Sequence, residues 1–316
     1  MQIVRYSPDD ASRWDAAVRM SRQGTFLHLR NYMDYHADRF NDCSLLFIDG
    51  KHGRVRGVLP ATLADGVVTS HGGLTYGGLL TPDNVGAAEV LEMMTGMTDW
   101  LRRMTDCRRF VYKPVPHIYH TTLAEEDLYA VFRLGGRLTG RSVSQAMEIG
   151  TGKVTTLRRR GHTKALKAGL TVEETSAESD WEAFWNVLTT VLTERHGRVP
   201  VHSLAEILLL RSRFPEAIRL FTVKHDGTVL AGCVVYVTAC VAHLQYIAAS
   251  DEGCGCGALD LLLTELNKKD RFPFCRYFDF GISTEQGGAV LNEGLTFQKE
   301  GFGGRGVCYD EYEIEL

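Results

Sequence analysis

Lys299 stands directly before Glu300-Gly301-Phe302-Gly303-Gly304, and Asp279 stands alone between Phe278 and Phe280. A lysine beside glycines that let backbone approach a ligand can steady an oxyanion or a phosphate. A carboxylate inside an aromatic run is partly buried, which raises its pKa and suits it to act as a base or to orient a neighbouring donor. Each has a plainer account. Lys299 fits a surface lysine in a connection, and Asp279 fits an acid satisfied by the N–H groups of the Gly281–Thr284 turn. Tyr246 lies on the strand-like run Val241–Ala248 and offers a phenolic proton, or else a core ring. His243 and Tyr246 are oddly spaced, so a regular strand points them to opposite faces and one at most into a cleft. Lys299, Asp279 and Tyr246 are therefore the candidate catalytic residues.

Two further stretches have the chemistry to hold anions. Gly253-Cys-Gly-Cys-Gly257 leads from a strand into a helix that begins at Ala258, and a glycine loop there exposes backbone N–H groups to a phosphate, or is a bare turn. Thr156–Ala168 carries Arg158, Arg159, Arg160, Lys164 and Lys167, and no acid occurs from Lys153 to Val172. Arg160, Lys164 and Lys167 are spaced to share one helix face, which suits phosphates or is a solvated face. His202 ends the basic loop Arg195–His202 as a substrate contact or a helix-entry residue, and Glu285 falls where a turn meets the next helix as an acid or a cap.

The elements that must position these groups recur twice. In the first half come helices at Pro8–Arg22 and Asn31–Phe40, strands at Ser44–Asp49, Val55–Ala64 and Val67–Ser70, the glycine loop His71–Gly78, a helix at Val85–Met104 and a strand at Arg108–Lys113. In the second half come helices at Ser179–Glu194 and Ser203–Phe214, then strands at Ile218–Lys224, Val229–Val237 and Val241–Ala248. The glycine loop, a helix at Ala258–Lys268 and a strand at Cys275–Phe280 follow. Asp226-Gly227 between alternating runs is a hairpin signal. Cys107-Arg-Arg-Phe-Val-Tyr112 is echoed by Cys275-Arg-Tyr-Phe-Asp-Phe280, and Arg39-Phe40 by Arg213-Phe214. An ordered set of echoes predicts an internal duplication of α/β units with mixed sheets, divided into residues 1–150 and 151–316.

Composition bounds the function. The chain has 316 residues, 44% hydrophobic and 23% charged, which is ordinary globular material with a sizeable core. A net charge of −4 argues against coating DNA. The start of the chain lacks an apolar secretory segment and no run is long enough to span a bilayer, so a cytoplasmic protein without an integral membrane segment is expected. Eight cysteines lie mostly inside apolar runs, as thiols of a reducing compartment do. Cys254-Gly-Cys256 is too tightly spaced for a zinc knuckle and has no second pair, so no metal is expected, and no histidine partners these thiols for nucleophilic catalysis. Asp279-Phe280-Gly281 matches a kinase triplet, but the His-Arg-Asp loop and the phosphate-covering glycine loop are absent.

The segments Thr156–Arg160 with Lys164–Val172, Pro200–His202, His243–Ser250, Phe278–Gly281 and Lys299–Gly304, with Ser70–Gly78 in the first half, resemble the GNAT acyltransferase superfamily. Within it they are similar to the Fem-type aminoacyltransferases, which fuse two GNAT-like domains. The resemblance implies two tandem GNAT-like domains, the first helping to bind the acceptor and the second holding the donor and the reaction centre. It implies an acyl-CoA or aminoacyl-tRNA donor and a small-molecule or nucleotide-linked amine acceptor, a cell-envelope precursor among them, with tRNA a candidate partner. On this reading Gly253, Gly255, Gly257 and Ala258 bind the donor, and Arg158, Arg159, Lys164, His202 and Glu285 the substrate. The competing expectation is a non-catalytic module that binds a phosphorylated envelope precursor.

Overall fold

The computed structural model describes residues 1–104 and 106–316. Its contacts divide the chain into two compact units. Unit 1 comprises Met1–Val143, Glu285–Val290 and Cys308–Leu316, and unit 2 comprises Ser144–Thr284 and Leu291–Val307.

Unit 1 begins with β1 (Gln2–Arg5), α1 (Ala11–Met20) and α2 (Arg30–Met33), followed by β2 (Leu45–Ile48), β3 (Val55–Leu59), β4 (Thr62–Ala64) and β5 (Val67–Thr69). It continues through α3 (Ala87–Met104), β6 (Arg109–Tyr112), α4 (Glu126–Arg133) and the start of β7 (Arg137–Glu148). The run Val55–Ala64, expected as one strand, is two, because Pro60 lacks the N–H that a continuing ladder requires. Asp65 and Gly66 both adopt positive φ (50° and 71°), the conformation of a two-residue turn that joins β4 to β5. Antiparallel β1, β2 and β3 form a small sheet, and β5 runs parallel to β6 with Val67 opposite Arg109 and Thr69 opposite Val111. Packed on these strands, α3 contributes Met93, Met94, Met97 and Leu101 to a core with Phe47, Phe110 and Tyr112.

Unit 2 holds α5 (Thr156–Lys167), β8 (Thr171–Thr175), α6 (Glu178–His196), α7 (Leu204–Arg213), β9 (Ile218–His225), β10 (Thr228–Val237) and β11 (Val241–Ala249). Then come α8 (Asp251–Cys256), α9 (Ala258–Leu266), β12 (Tyr277–Ile282) and α10 (Glu293–Glu300), while the two-residue strands β13 (Thr284–Glu285) and β14 (Val290–Leu291) each divide between the units and β15 (Arg305–Glu315) passes into unit 1 at Cys308. Its sheet runs β7-β12-β11-β10-β9-β8, antiparallel except between β11 and β12. The Asp226-Gly227 turn joins β9 to β10 as expected, with both residues at positive φ. Leu261, Leu262 and Leu266 of α9 pack on Phe221, Val235, Phe278 and Phe280 to make the core.

The glycine loop expected at 253–257 is instead a short helix and a break. Ser250 caps α8, its Oγ accepting from the Gly253 N–H at 3.1 Å, and Gly257 turns the chain at φ +81° before α9 begins at Ala258. Close packing accounts for two of these glycines. A Cβ on Gly253 would lie 2.6 Å from the Leu230 carbonyl oxygen, and one on Gly257 would lie 2.5 Å from that of Gly161 in α5. Gly255 faces open space.

Candidate active site of unit 2

The parallel pairing of β11 and β12 runs from Val241 opposite Tyr277 to His243 opposite Asp279. Asp279 is fully buried. A carboxylate in that position is tolerated only if donors replace its water, and three do so. The Ser144 hydroxyl of β7 makes a short bond to Oδ1, the Gly281 N–H donates to the same oxygen at 3.1 Å, and His243 Nδ1 lies 2.9 Å from Oδ2. An Nδ1–H that donates to the carboxylate fixes the neutral imidazole as the tautomer with its lone pair on Nε2. The His243 side chain retains 16% exposure where Asp279 has none, so the histidine is the member of the pair that solvent reaches.

A bulge sets the next contact. Asp279 pairs with Ala146 of β7 but Ile282 pairs with Ser144, so one residue of β12 is extra, and Gly281 absorbs the kink at φ +77°. Lys299, on the last turn of α10, places its buried ammonium on the two carbonyls there, 2.7 Å from Gly281 O and 2.9 Å from Ile282 O. An ammonium has three donors, and these bonds use two. Burial pulls the Lys299 pKa down to about 8 against the opposing pull of the Asp279 charge. Asn292 caps the start of α10, with Oδ1 accepting from Leu295 N–H at 3.0 Å. At the other end Gly303 (φ +101°) allows Gly304 N–H to return to Lys299 O at 3.2 Å, the bonding of a Schellman turn. Asp279, His243, Ser144 and Lys299 thus converge on Gly281.

Tyr246 is not part of that convergence. Its hydroxyl lies 2.5 Å from His202 Nδ1 and accepts from the His202 N–H at 3.2 Å, and its ring packs edge-on to Trp185. Both Tyr246 and His202 are buried, so His202 is an interior residue rather than an exposed loop contact. The expected opposite facing of His243 and Tyr246 also fails. β11 carries a bulge between Leu244 and Tyr246, which resets the alternation; Ala242 and Leu244 pack on the core before it, Ile247 and Ala249 after it. His243 and Tyr246 therefore share a face, and it is His243 that meets Asp279.

Among the expected anion contacts, Arg158 points inward. Its guanidinium bonds Asp260 of α9 at 3.0 Å and covers the Phe302 ring, because the side of α5 bearing Arg158, Gly161 and Ala165 is the side that packs on α9. Arg159 and Lys164, with Arg160, Lys167, Thr156 and Thr163, line an open groove of about 430 Å³ on the outer face of α5. Glu285 is exposed and groups with unit 1, outside the elements that build this site. Sequence reasoning passed over Ser144 and set His243 aside. Ser144 gives no local signal, whereas His243 becomes visible only once β11 is laid parallel to β12. Among the described residues no group of His, Cys, Asp or Glu could hold a metal ion, and no helix is long and apolar enough to cross a membrane.

Residues 151–286 match the family model of an acetyltransferase (GNAT) domain. No curated protein sequence gives a match. Among solved structures, FemX is similar with a TM-score of 0.70 at 14% identity, covering 100% of this chain and 98% of that one. The C-terminal domain of a putative lysylphosphatidylglycerol synthetase from Agrobacterium fabrum is similar with a TM-score of 0.61 at 11% identity, covering 97% and 91%. A tandem GNAT protein from the clavulanic acid biosynthesis pathway superposes with a TM-score of 0.50 at 14% identity, covering 99% and 98%. These likenesses show a Fem-like tandem GNAT fold, and together with the acetyltransferase (GNAT) domain matched over residues 151–286 they support an acyltransferase.

Proposed function

We propose that unit 2 transfers an acyl group from an acyl-CoA thioester to a primary amine, with His243 as the base, Asp279 as its orienting partner and Lys299 as the donor to the developing oxyanion. The observation that carries this reading is the His243–Asp279 pair beside Gly281, where Lys299 also arrives. His243 Nε2 takes a proton from the attacking amine as its nitrogen bonds to the thioester carbonyl carbon. Charge develops on the carbonyl oxygen and is met by the third N–H of Lys299. Collapse breaks the C–S bond, and the imidazolium returns its proton to the departing thiolate. Asp279 stays ionised throughout, because its task is to hold the tautomer and balance the imidazolium.

Strand pairing supports a thioester donor. The parallel register ends at His243 and Asp279 while β11 continues to Ala249, so the edge of β11 facing β12 offers backbone groups to an extended, amide-bearing arm such as pantetheine. Thr156, Arg159, Arg160 and Lys164 then suit the phosphates of such a donor, and α8, Gly257 and Ala258 stand between β11 and α9. The same cationic face favours a second reading, an aminoacyl-tRNA donor, because four cations on one helix face suit a polyanion. A cell-envelope amine is the acceptor class that the resemblance to Fem-type enzymes implies.

The test is a thermal-shift and turnover panel with acetyl-CoA, longer acyl-CoA esters and charged tRNA. Stabilisation and free-thiol release with CoA esters support the thioester reading, and stabilisation by charged tRNA alone replaces it. Binding without turnover of any donor would leave the chain a binding module.

A further inference from the structure

Arg158 looks at first like one more cation of a basic helix. Its surroundings set it apart. The side chain is 17% exposed, its NH1 donates to Asp260 at 3.0 Å, and its guanidinium carbon lies 5.5 Å from the centre of the Phe302 ring. Phe302 is buried and stacks in turn on Phe280, with ring centres 6.2 Å apart and planes 29° from parallel. Phe280 sits between Asp279 and Gly281. A three-layer stack thus joins α5 to the strand residues that receive Lys299. The turn after Lys299 is held on its other side as well. Gly301 O accepts from Thr155 N–H at 2.9 Å, and a Cβ on Gly301 would come within 3.1 Å of Arg158 Nε. Phe302 N–H and Gly304 N–H both bond Lys299 O, at 3.1 and 3.2 Å.

We infer that Arg158 is a positioning residue for Lys299: its guanidinium, anchored on Asp260, presses the Gly301–Gly304 turn onto β12 and keeps the Lys299 amine on the Gly281 and Ile282 carbonyls. Only a planar cation fits the role, since one group must stack on an aromatic face and bond a carboxylate at once. The inference rests on the reading of Lys299 given above, yet the contacts that define Arg158 are independent of which donor binds.

Competitive acetic anhydride labelling of the full-length protein across pH, read by mass spectrometry at Lys299 and at Lys113 of unit 1, tests this. In Arg158→Met, the limiting labelling rate of Lys299 at high pH should rise roughly tenfold because local opening becomes easier, and its titration should move up toward that of an ordinary lysine, while Lys113 is unchanged. Arg158→Lys, which keeps the ion pair and loses the stack, should fall between the two, and it carries the same test if Arg158→Met does not fold. With acetyl-CoA as donor, kcat should fall while the donor KM stays within about twofold, the pattern of a transition-state contact rather than of lost binding. An unchanged Lys299 profile would overturn the inference, and so would equal rises at Lys299 and Lys113, which would mark a general loosening. The separate variant Lys299→Met distinguishes the two readings: full transfer activity there removes Lys299 from the chemistry and leaves the labelling result standing.

Discussion

The two units build the same parallel strand pair and fill it differently. In unit 1, β5 sets Thr69 opposite Val111, and in unit 2, β11 sets His243 opposite Asp279. Beyond the pair, unit 1 is fastened shut by its own loop. Lys113 N–H donates to Ser70 Oγ at 2.7 Å, Lys113 Nζ to Leu74 O at 2.5 Å, Gly77 N–H to Lys113 O at 3.0 Å, and Leu79 N–H to Tyr112 Oη at 2.9 Å. Unit 2 has a short capped helix at that point, Gly281 lies beside His243 and Leu244, and β11 continues past the pair to Ala249. Each unit nevertheless buries one lysine whose pKa burial lowers to about 8, Lys113 in one and Lys299 in the other. A depressed lysine pKa therefore does not mark the reactive unit in this chain. On the function proposed above, the carboxylate–imidazole pair does.

The sharpest way to break this comparison is to remove the pair. Asp279→Asn and His243→Gln should each lower kcat by roughly 10²–10⁴, the usual worth of a positioned general base, in a thiol-release assay with acetyl-CoA. Val111→Asp, which places an acid at the matching position of unit 1, should lower stability and leave kcat nearly unchanged, because no imidazole faces it. If Asp279→Asn keeps full turnover, the unit-2 pair is structural and the proposed division of labour fails.

The lysines give the next contrast. Lys299→Met should lower kcat by roughly 10²–10³, as loss of one oxyanion donor does, whereas Lys113→Met should alter kcat little. The pH profile separates them further. Lys299 donates only while protonated, so wild-type kcat should fall as pH rises through about 8, and Lys299→Arg should move that limb upward. A limb that stays in place in Lys299→Arg would mean that another group sets it.

A smaller effect is expected on α5. Arg159→Glu with Lys164→Glu should raise the donor KM by roughly tenfold at low salt, with kcat held and the difference shrinking as salt screens the charges. If Arg158→Met gives the same KM effect as this pair, the inward and outward faces of α5 are not functionally distinct.

Legibility followed the range of the interactions. The hairpin at Asp226-Gly227 and the placing of Asp279 on a buried strand come from local pattern, and both appear in the structure at close to the expected residues. Lys299 was visible because glycines cluster beside it, and here they close a Schellman turn. What local pattern could not carry was parity and pairing. A bulge in β11 turned His243 and Tyr246 to one face, and the Asp279–His243 contact depends on a parallel register set by α8 and α9 between the strands. Arg158 follows the same rule. On a helix without acids its cation reads as a phosphate contact or a solvated group, and only the partner helix supplies Asp260.

The smallest contrast concerns the buried acid of unit 1. Asp127, at the start of α4, is pushed up to about 6 by burial, with the Tyr112 hydroxyl bonding Oδ2 at 2.5 Å as an opposing influence. In the unfolded chain the same carboxyl titrates near its ordinary value of 3.8. Between those values the folded state holds a proton that the unfolded chain has lost, so stability falls as pH rises through that window and the penalty is complete above about 6. Asp127→Asn keeps an oxygen for the Tyr112 hydroxyl and removes the charge. It should stabilise the protein by about 1–3 kcal/mol at pH 8 and by almost nothing at pH 4, read from denaturant midpoints at the two pH values. Asp279→Asn should show no such gain at pH 8, because the Asp279 carboxylate accepts hydrogen bonds from His243 and two further donors. Equal gains for both variants would mean that the two units bury their acids on the same terms, and the electrostatic half of the comparison would fall.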